Sequence, residues 1–278
     1  MDGGIETRPA GTTPFPPVRD TSTKNTPFDR RSPLLLWLFR WYLHWFFWRR
    51  FSGVRLSRAG MPANVPGRPI VVYTNHPSWW DPILMMLISP KLFPDRLGFG
   101  PIDAQALGRY GLFRRFGAFG VERGPRGAAQ FLRTARAGLS DPRAILWMTA
   151  EGEFTDARRR PIALRPGIAH LARHVPDAVF LPAAFDYVFW NEARPEALIR
   201  FGPPVKVAGL SVEQAQAALE KALTQALDAL AQDGSARDPA GFVTLLHGAG
   251  GVGALYDTWR RMLAFTQGKR FNPRHEAD

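Results

Sequence analysis

Between residues 70 and 201, short apolar runs rich in β-branched and aromatic residues alternate with stretches of helical period. This alternation restricts the fold more than any other feature of the chain. Strand-like runs fall at 70–74, 97–100, 118–121, 144–149, 179–185 and 198–201, and helix-like runs at 82–88, 104–114, 128–139 and 168–174. A long helix follows: Ser211 and Gln214 form a capping-box pattern, Ala218, Leu219, Ala222, Leu223, Ala226, Leu227 and Leu230 repeat at helical spacing, and Gly234 is read as its stop. The expected class is α/β, a single domain with a mostly parallel central sheet flanked by helices, preceded by an N-terminal interfacial aromatic helix. The expected segments are a disordered, proline-rich arm (1–30), a membrane-associating aromatic and basic helix (31–58), the α/β domain (68–233) and a helical appendix (234–278) with a second aromatic, basic helix near 254–265.

Charge narrows the partners. The 278 residues carry a formal net charge of +12, which points to anionic partners, and they contain no cysteine, which excludes disulfides and thiolate chemistry. Residues 30–80 hold eight arginines and neither Asp nor Glu, and inside that stretch lies PLLLWLFRWYLHWFFW at 33–48. Tryptophan, phenylalanine and leucine packed between arginines suit a helix lying in a lipid interface rather than a nucleic-acid reader, so no nucleic-acid partner is expected. Sixteen residues rise about 24 Å as a helix, short of the roughly 30 Å hydrocarbon core. Arg40 and His44 add a polar stripe, so a helix lying on the cytoplasmic face is favoured over one that spans.

The apolar run at 70–73 ends in Asn75-His76, and Asp81-Pro82 follows. Strand ends in α/β sheets open onto crevices, and a histidine steadied by a carboxylate is a simple general base near neutral pH. Three further blocks follow in order. Gly117-Ala-Phe-Gly-Val-Glu-Arg123 joins a short strand to an arginine, Trp147-Met-Thr-Ala-Glu151-Gly152 ends a buried strand in a carboxylate and a glycine, and Val179-Phe-Leu-Pro182-Ala is a strand carrying a proline.

In these blocks the chain resembles the glycerol-phosphate and lysophospholipid (1-acylglycerol-3-phosphate) acyltransferase superfamily. Asn75, His76 and Asp81 match its first motif, Asn-His-x4-Asp. Gly117, Val121 and Arg123 match the second, with Gly120 where a bulky apolar residue is usual. Of the third, Phe-Pro-Glu-Gly-Thr-Arg, only Glu151 and Gly152 are retained; Glu153 and Phe154 stand in place of the Thr and Arg. Leu181 and Pro182 match the fourth.

The resemblance implies an O-acyltransferase of phospholipid biosynthesis, moving an acyl group from acyl-CoA or an acyl carrier protein to a lyso-lipid hydroxyl. It needs no resident cofactor and works on a membrane of anionic lipids. His76 and Asp81 would be the catalytic pair. Asn75, Gly117, Arg123, Glu151 and Gly152 would bind substrate, with Arg123 clamping an anionic head-group. The altered third block makes a phosphate-monoester acceptor less secure and leaves other lyso-lipids open.

Other readings of the same residues stand beside these. Asp81 ahead of Pro82 is also the pattern of a helix cap. Arg158-Arg-Arg160 is either a solvated loop or a contact with lipid or an acidic carrier. The whole chain also reads as a catalytically silent lipid-binding protein of the same fold. Gly248-Ala-Gly-Gly-Val-Gly253 satisfies G-x-G-x-x-G, but the βαβ context of a dinucleotide site is missing.

Overall fold

A computed structural model describes residues 26–63, 65–249 and 262. In chain order the elements are α1 (Pro33–Trp48), β1 (Gly53–Ser57), β2 (Ile70–Thr74), α2 (Asp81–Leu92), β3 (Leu97–Asp103), α3 (Ala104–Arg109), β4 (Ala118–Val121), α4 (Pro125–Leu139), β5 (Ala144–Thr149), α5 (Gly167–His174), β6 (Val179–Val188), β7 (Glu196–Phe201), α6 (Val212–Ala236) and β8 (Phe242–His247). One sheet takes the order β4-β3-β5-β2-β6-β7-β1-β8. From β4 to β6 every pairing is parallel; β7 reverses, β1 runs with β7, and β8 reverses again. The mostly parallel sheet expected from the alternation is present.

Side-chain parity explains the layers. Val71, Tyr73, Leu146, Met148 and Phe180 point to one face, under α4, α5 and α6. Ile70, Val72, Ile145, Trp147 and Leu181 point to the other, under α1 and α2. Every residue of β2 is buried, so this central strand is a continuous apolar run rather than an alternating one. The connection after β2 leads to α2 on one face and that after β5 leads to α5 on the other, so a crevice opens between their carboxyl ends.

Among the boundaries that differ from the sequence expectation, four change how a segment is read. The helix expected over 104–114 stops at Arg109, and a 3₁₀ turn takes over at Gly111–Phe116. Gly234 does not end α6, which continues to Ala236 and closes with Arg237 in the left-handed region (φ 50°). Gly234 lies inside the helix, where an added Cβ would sit 3.1 Å from Leu198 Cδ1, so close helix–sheet approach is its reason.

The expected 31–58 helix ends at Trp48, and its last residues form β1 between β7 and β8. Arg55 there is 4% exposed and ion-paired to Glu196 at 2.6 Å, so a residue counted toward a lipid-facing charge is core structure. Likewise 242–247, assigned to the helical appendix, is the edge strand β8. Isolated apolar runs of five or six residues at the chain's margins gave no sign of a partner strand. Residues 1–25 of the expected arm, the second helix near 254–265 and positions 250–253 of the glycine run lie outside the described residues, apart from Met262.

α1 coincides with the aromatic run at 33–48, with Ser32 capping it and Pro33 at its first position. Leu36, Leu43 and Phe47 seat it on the core, whereas Leu34, Trp37, Leu38, Trp41, Tyr42, Trp45 and Trp48 are exposed. These positions recur at three- and four-residue steps and form one stripe of the helix. Arg49 and Arg50 close that stripe, their guanidinium groups 5.3 Å and 4.0 Å from the Trp45 and Phe46 rings. No helix among the described residues is long and apolar enough to cross a membrane.

Candidate active site

β2 delivers Asn75 and His76 at its carboxyl end. Asn75 is 1% exposed and acts as an extra rung of the sheet: its Nδ2 donates to Phe185 O and its Oδ1 accepts from Phe185 N, both at 2.9 Å. The amide expected to contact substrate is therefore used to fix the strand end against β6.

His76 is held by its main chain as well as its ring. Its N–H donates to Glu151 Oε2 at 2.7 Å, and its C=O accepts from Thr155 N at 3.0 Å. The turn after β5 thus grips the residue from both sides. His76 Nδ1 lies 2.6 Å from Asp81 Oδ2, with the imidazole side chain 16% exposed and the carboxylate fully buried. Among the described residues no hydrogen bond is made at Nε2, the nitrogen left for a substrate.

Asp81 does not cap α2. The helix begins at Asp81 itself and Trp80 precedes it, while the carboxylate turns back and accepts from Ser78 N at 3.1 Å as well as facing His76. Its other oxygen, Oδ1, accepts from the Tyr187 hydroxyl at 2.7 Å. A buried carboxylate with three hydrogen-bond partners is held in one orientation. Tyr187 sits 106 positions away, and no local pattern marked it as part of the site.

Glu151 is 7% exposed, and burial raises its carboxyl above the ordinary value, a tendency opposed by the His76 N–H it accepts. Gly152 has φ +71°, and a Cβ there would lie 2.8 Å from Arg165 Cγ, so glycine is what lets the chain turn beneath that side chain. Phe154, which replaces the expected arginine, is 63% exposed and packs its ring 4.4 Å from the His76 ring at a 39° tilt. Of the neighbouring arginines, Arg158 pairs with Asp156 and Arg160 with Asp228, which accounts for them as loop and α6 contacts.

The second block divides. β4 runs parallel to β3, so its carboxyl end shares an edge of the sheet with the end of β2, and Arg123 follows that end, exposed, two residues after Val121. Three strand spacings put it about 14 Å to the side of β2. Gly117 precedes β4 and so lies at that strand's other end, level with the amino-terminal half of β2. Its φ of +94° ends the 3₁₀ turn, and a Cβ would fall 2.8 Å from Gly98 O. The block's spacing carried a turn requirement at one end and a side chain at the other.

Residues 56–186 match the family model described as Acyltransferase. Among solved structures, the chain is similar to the 1-acyl-sn-glycerophosphate (LPA) acyltransferase PlsC of Thermotoga maritima, at 15% identity over 71% of this chain and 78% of that one, with a TM-score of 0.49. No curated protein sequence matches it.

Proposed function

We propose that this chain, whose residues 56–186 match the family model described as Acyltransferase, is an acyltransferase that moves an acyl group from a thioester to the hydroxyl of a lysophospholipid or a related lyso-lipid. The observation that carries this reading is the 2.6 Å contact between His76 Nδ1 and a fully buried Asp81. With Nδ1–H donated to the carboxylate, Nε2 presents a lone pair and serves as the base.

The acceptor hydroxyl gives its proton to Nε2 as its oxygen attacks the thioester carbonyl carbon. The tetrahedral intermediate collapses, the C–S bond breaks, and the departing thiolate takes the proton back from Nε2. The products are an ester and a free thiol, and no covalent enzyme intermediate is required. Asp81 holds the imidazole in the useful tautomer and stabilises its cation between the two transfers.

Arg123 supports the reading as an anion contact on the same sheet edge, where an exposed guanidinium suits a phosphate of acceptor or donor. Glu151 and Gly152 shape the turn that holds His76. Phe154, in place of a cation, favours lyso-lipids other than a glycerol phosphate monoester. The exposed stripe of α1, flanked by Arg49 and Arg50, suits docking on the anionic cytoplasmic leaflet, from which the acceptor is drawn. Acyl-CoA or an acyl carrier protein, both acidic, suits the basic surface as donor.

A catalytically silent lipid-binding protein is the alternative, motivated by the altered third block. One experiment separates the two. The purified protein, given a radiolabelled acyl thioester and a panel of lyso-lipids in vesicles, yields a labelled ester, and His76→Ala does not, while still binding the vesicles. Vesicle binding with no ester from any acceptor would leave the silent protein standing.

A further inference from the structure

We infer that Tyr187 is a positioning residue of the site, its hydroxyl setting the orientation and charge of Asp81 and, through Asp81, the basicity of His76. The inference rests on the His76–Asp81 reading above.

The geometry is specific. Asp81 Oδ1 accepts from Tyr187 at 2.7 Å, while Oδ2 takes His76 Nδ1 at 2.6 Å and Ser78 N at 3.1 Å. The phenol occupies one oxygen and the imidazole the other, so the carboxylate cannot rotate away from the ring without losing both partners. The phenol itself is fixed. Tyr187 lies on β6, paired with Ala197 of β7, and its ring packs 5.9 Å from Phe51. Phe51 stacks on Phe47 of α1 at 4.3 Å and meets Trp80 edge-on at 4.8 Å, so strand pairing and an aromatic cluster seat the hydroxyl.

Two carboxylates act on this hydroxyl, Asp81 through the hydrogen bond and Asp186 beside it on β6. Beyond Asp81, His76 and Glu151 belong to the same charged cluster. Asp186, next to Tyr187 on β6, lies close to Arg158 and Asp156, and Arg159 lies near Glu151. Withdrawal of the phenol from water and then the Asp81 charge hold Tyr187 well above its ordinary value, so the group remains a neutral donor wherever the enzyme works. A neutral donor on Oδ1 spreads part of the carboxylate's charge. Its loss leaves Asp81 holding the imidazolium proton more tightly, and the base is then freed only at higher pH.

The test uses full-length protein with a thioester and an acceptor that the wild-type enzyme turns over. Tyr187→Phe is expected to lower kcat about tenfold, as for a lost hydrogen bond to an ionised group, with KM values within about twofold. The acidic limb of kcat/KM against pH moves to higher pH. Incorporation of 3-fluorotyrosine at position 187, a stronger donor of nearly the same size, moves that limb to lower pH.

A purely structural tyrosine would change the melting temperature and leave the limb where it is in both proteins. That result, or wild-type kcat in Tyr187→Phe, overturns the inference. If Tyr187→Phe does not fold, the fluorotyrosine protein alone decides. His76→Ala is measured alongside: full turnover by it removes the base itself, whereas its inactivity beside a wild-type-like Tyr187→Phe removes only the role of Tyr187.

Discussion

The carboxylate of Glu151 accepts the main-chain N–H of His76 at 2.7 Å, tying the end of β5 to the end of β2 by an acid that is 7% exposed. Burial raises its carboxyl, so the folded protein holds that proton more tightly than the unfolded chain does. Its contribution to stability is therefore complete below the ordinary carboxylate range and declines as pH rises through the native value. Glu151→Gln keeps an acceptor for His76 N–H and removes the titration. Its melting temperature relative to wild type is expected to climb as pH rises from the ordinary carboxylate range. Glu151→Ala, which has no acceptor, melts below Glu151→Gln throughout. Thermal melts across that range check both, and a Gln variant that loses ground as pH rises would show that the carboxylate charge is stabilising.

Asp81→Asn preserves shape and removes charge. With an amide beside the ring, the imidazolium loses its counter-ion and the tautomer is no longer enforced. Turnover is expected to fall by about 10²–10⁴ with little change in KM, as for loss of a group acting on the transition state. Steady-state kinetics at fixed pH measure this. A variant within about threefold of wild type would place the proton transfer elsewhere.

Arg123 stands at the edge of the sheet that carries His76 but well to its side, so its effect belongs to binding. Arg123→Ala should raise KM for an anionic substrate about tenfold, as for a lost charge-assisted contact, and leave kcat within about twofold. Lysine should restore part of the loss. A fall in kcat at unchanged KM would contradict the assignment.

Trp37 and Trp41 are 64% and 71% exposed on α1, so replacing them disturbs no core packing. Trp37→Ala combined with Trp41→Ala should weaken binding to anionic vesicles about tenfold or more while the melting temperature holds. Cosedimentation with vesicles containing phosphatidylglycerol measures it. Equal binding by the double variant would move the membrane contact off this helix.

Gly117 lies at the start of β4, away from the strand ends that carry His76, in a conformation (φ +94°) that disfavours side chains, and a Cβ there would lie 2.8 Å from Gly98 O. Gly117→Ala is expected to cost about 1–3 kcal/mol of stability without altering KM at temperatures where the protein is folded. A raised KM with unchanged stability would return Gly117 to the substrate site.

Sequence by itself determined what is local. The strand and helix periods marked the α/β class, all six expected strands lie within three positions of the observed bounds at both ends, and Ser211 with Gln214 marked the start of α6 as a capping box. His76 and Asp81 were legible because five residues of one turn bring them together, and the aromatic helix because its exposed face is written at helical spacing. Tertiary structure decided the rest. Asp81 faces the imidazole with its other oxygen bound by Tyr187, 106 residues away, and Asn75 became a sheet rung only against Phe185, 110 residues away. Gly117 and Arg123 share one motif, but the length of β4 separates them, and β1 became a strand only by pairing with β7 and β8. Periodicity records which face of an element is buried; which distant atoms meet there is fixed only when the layers close.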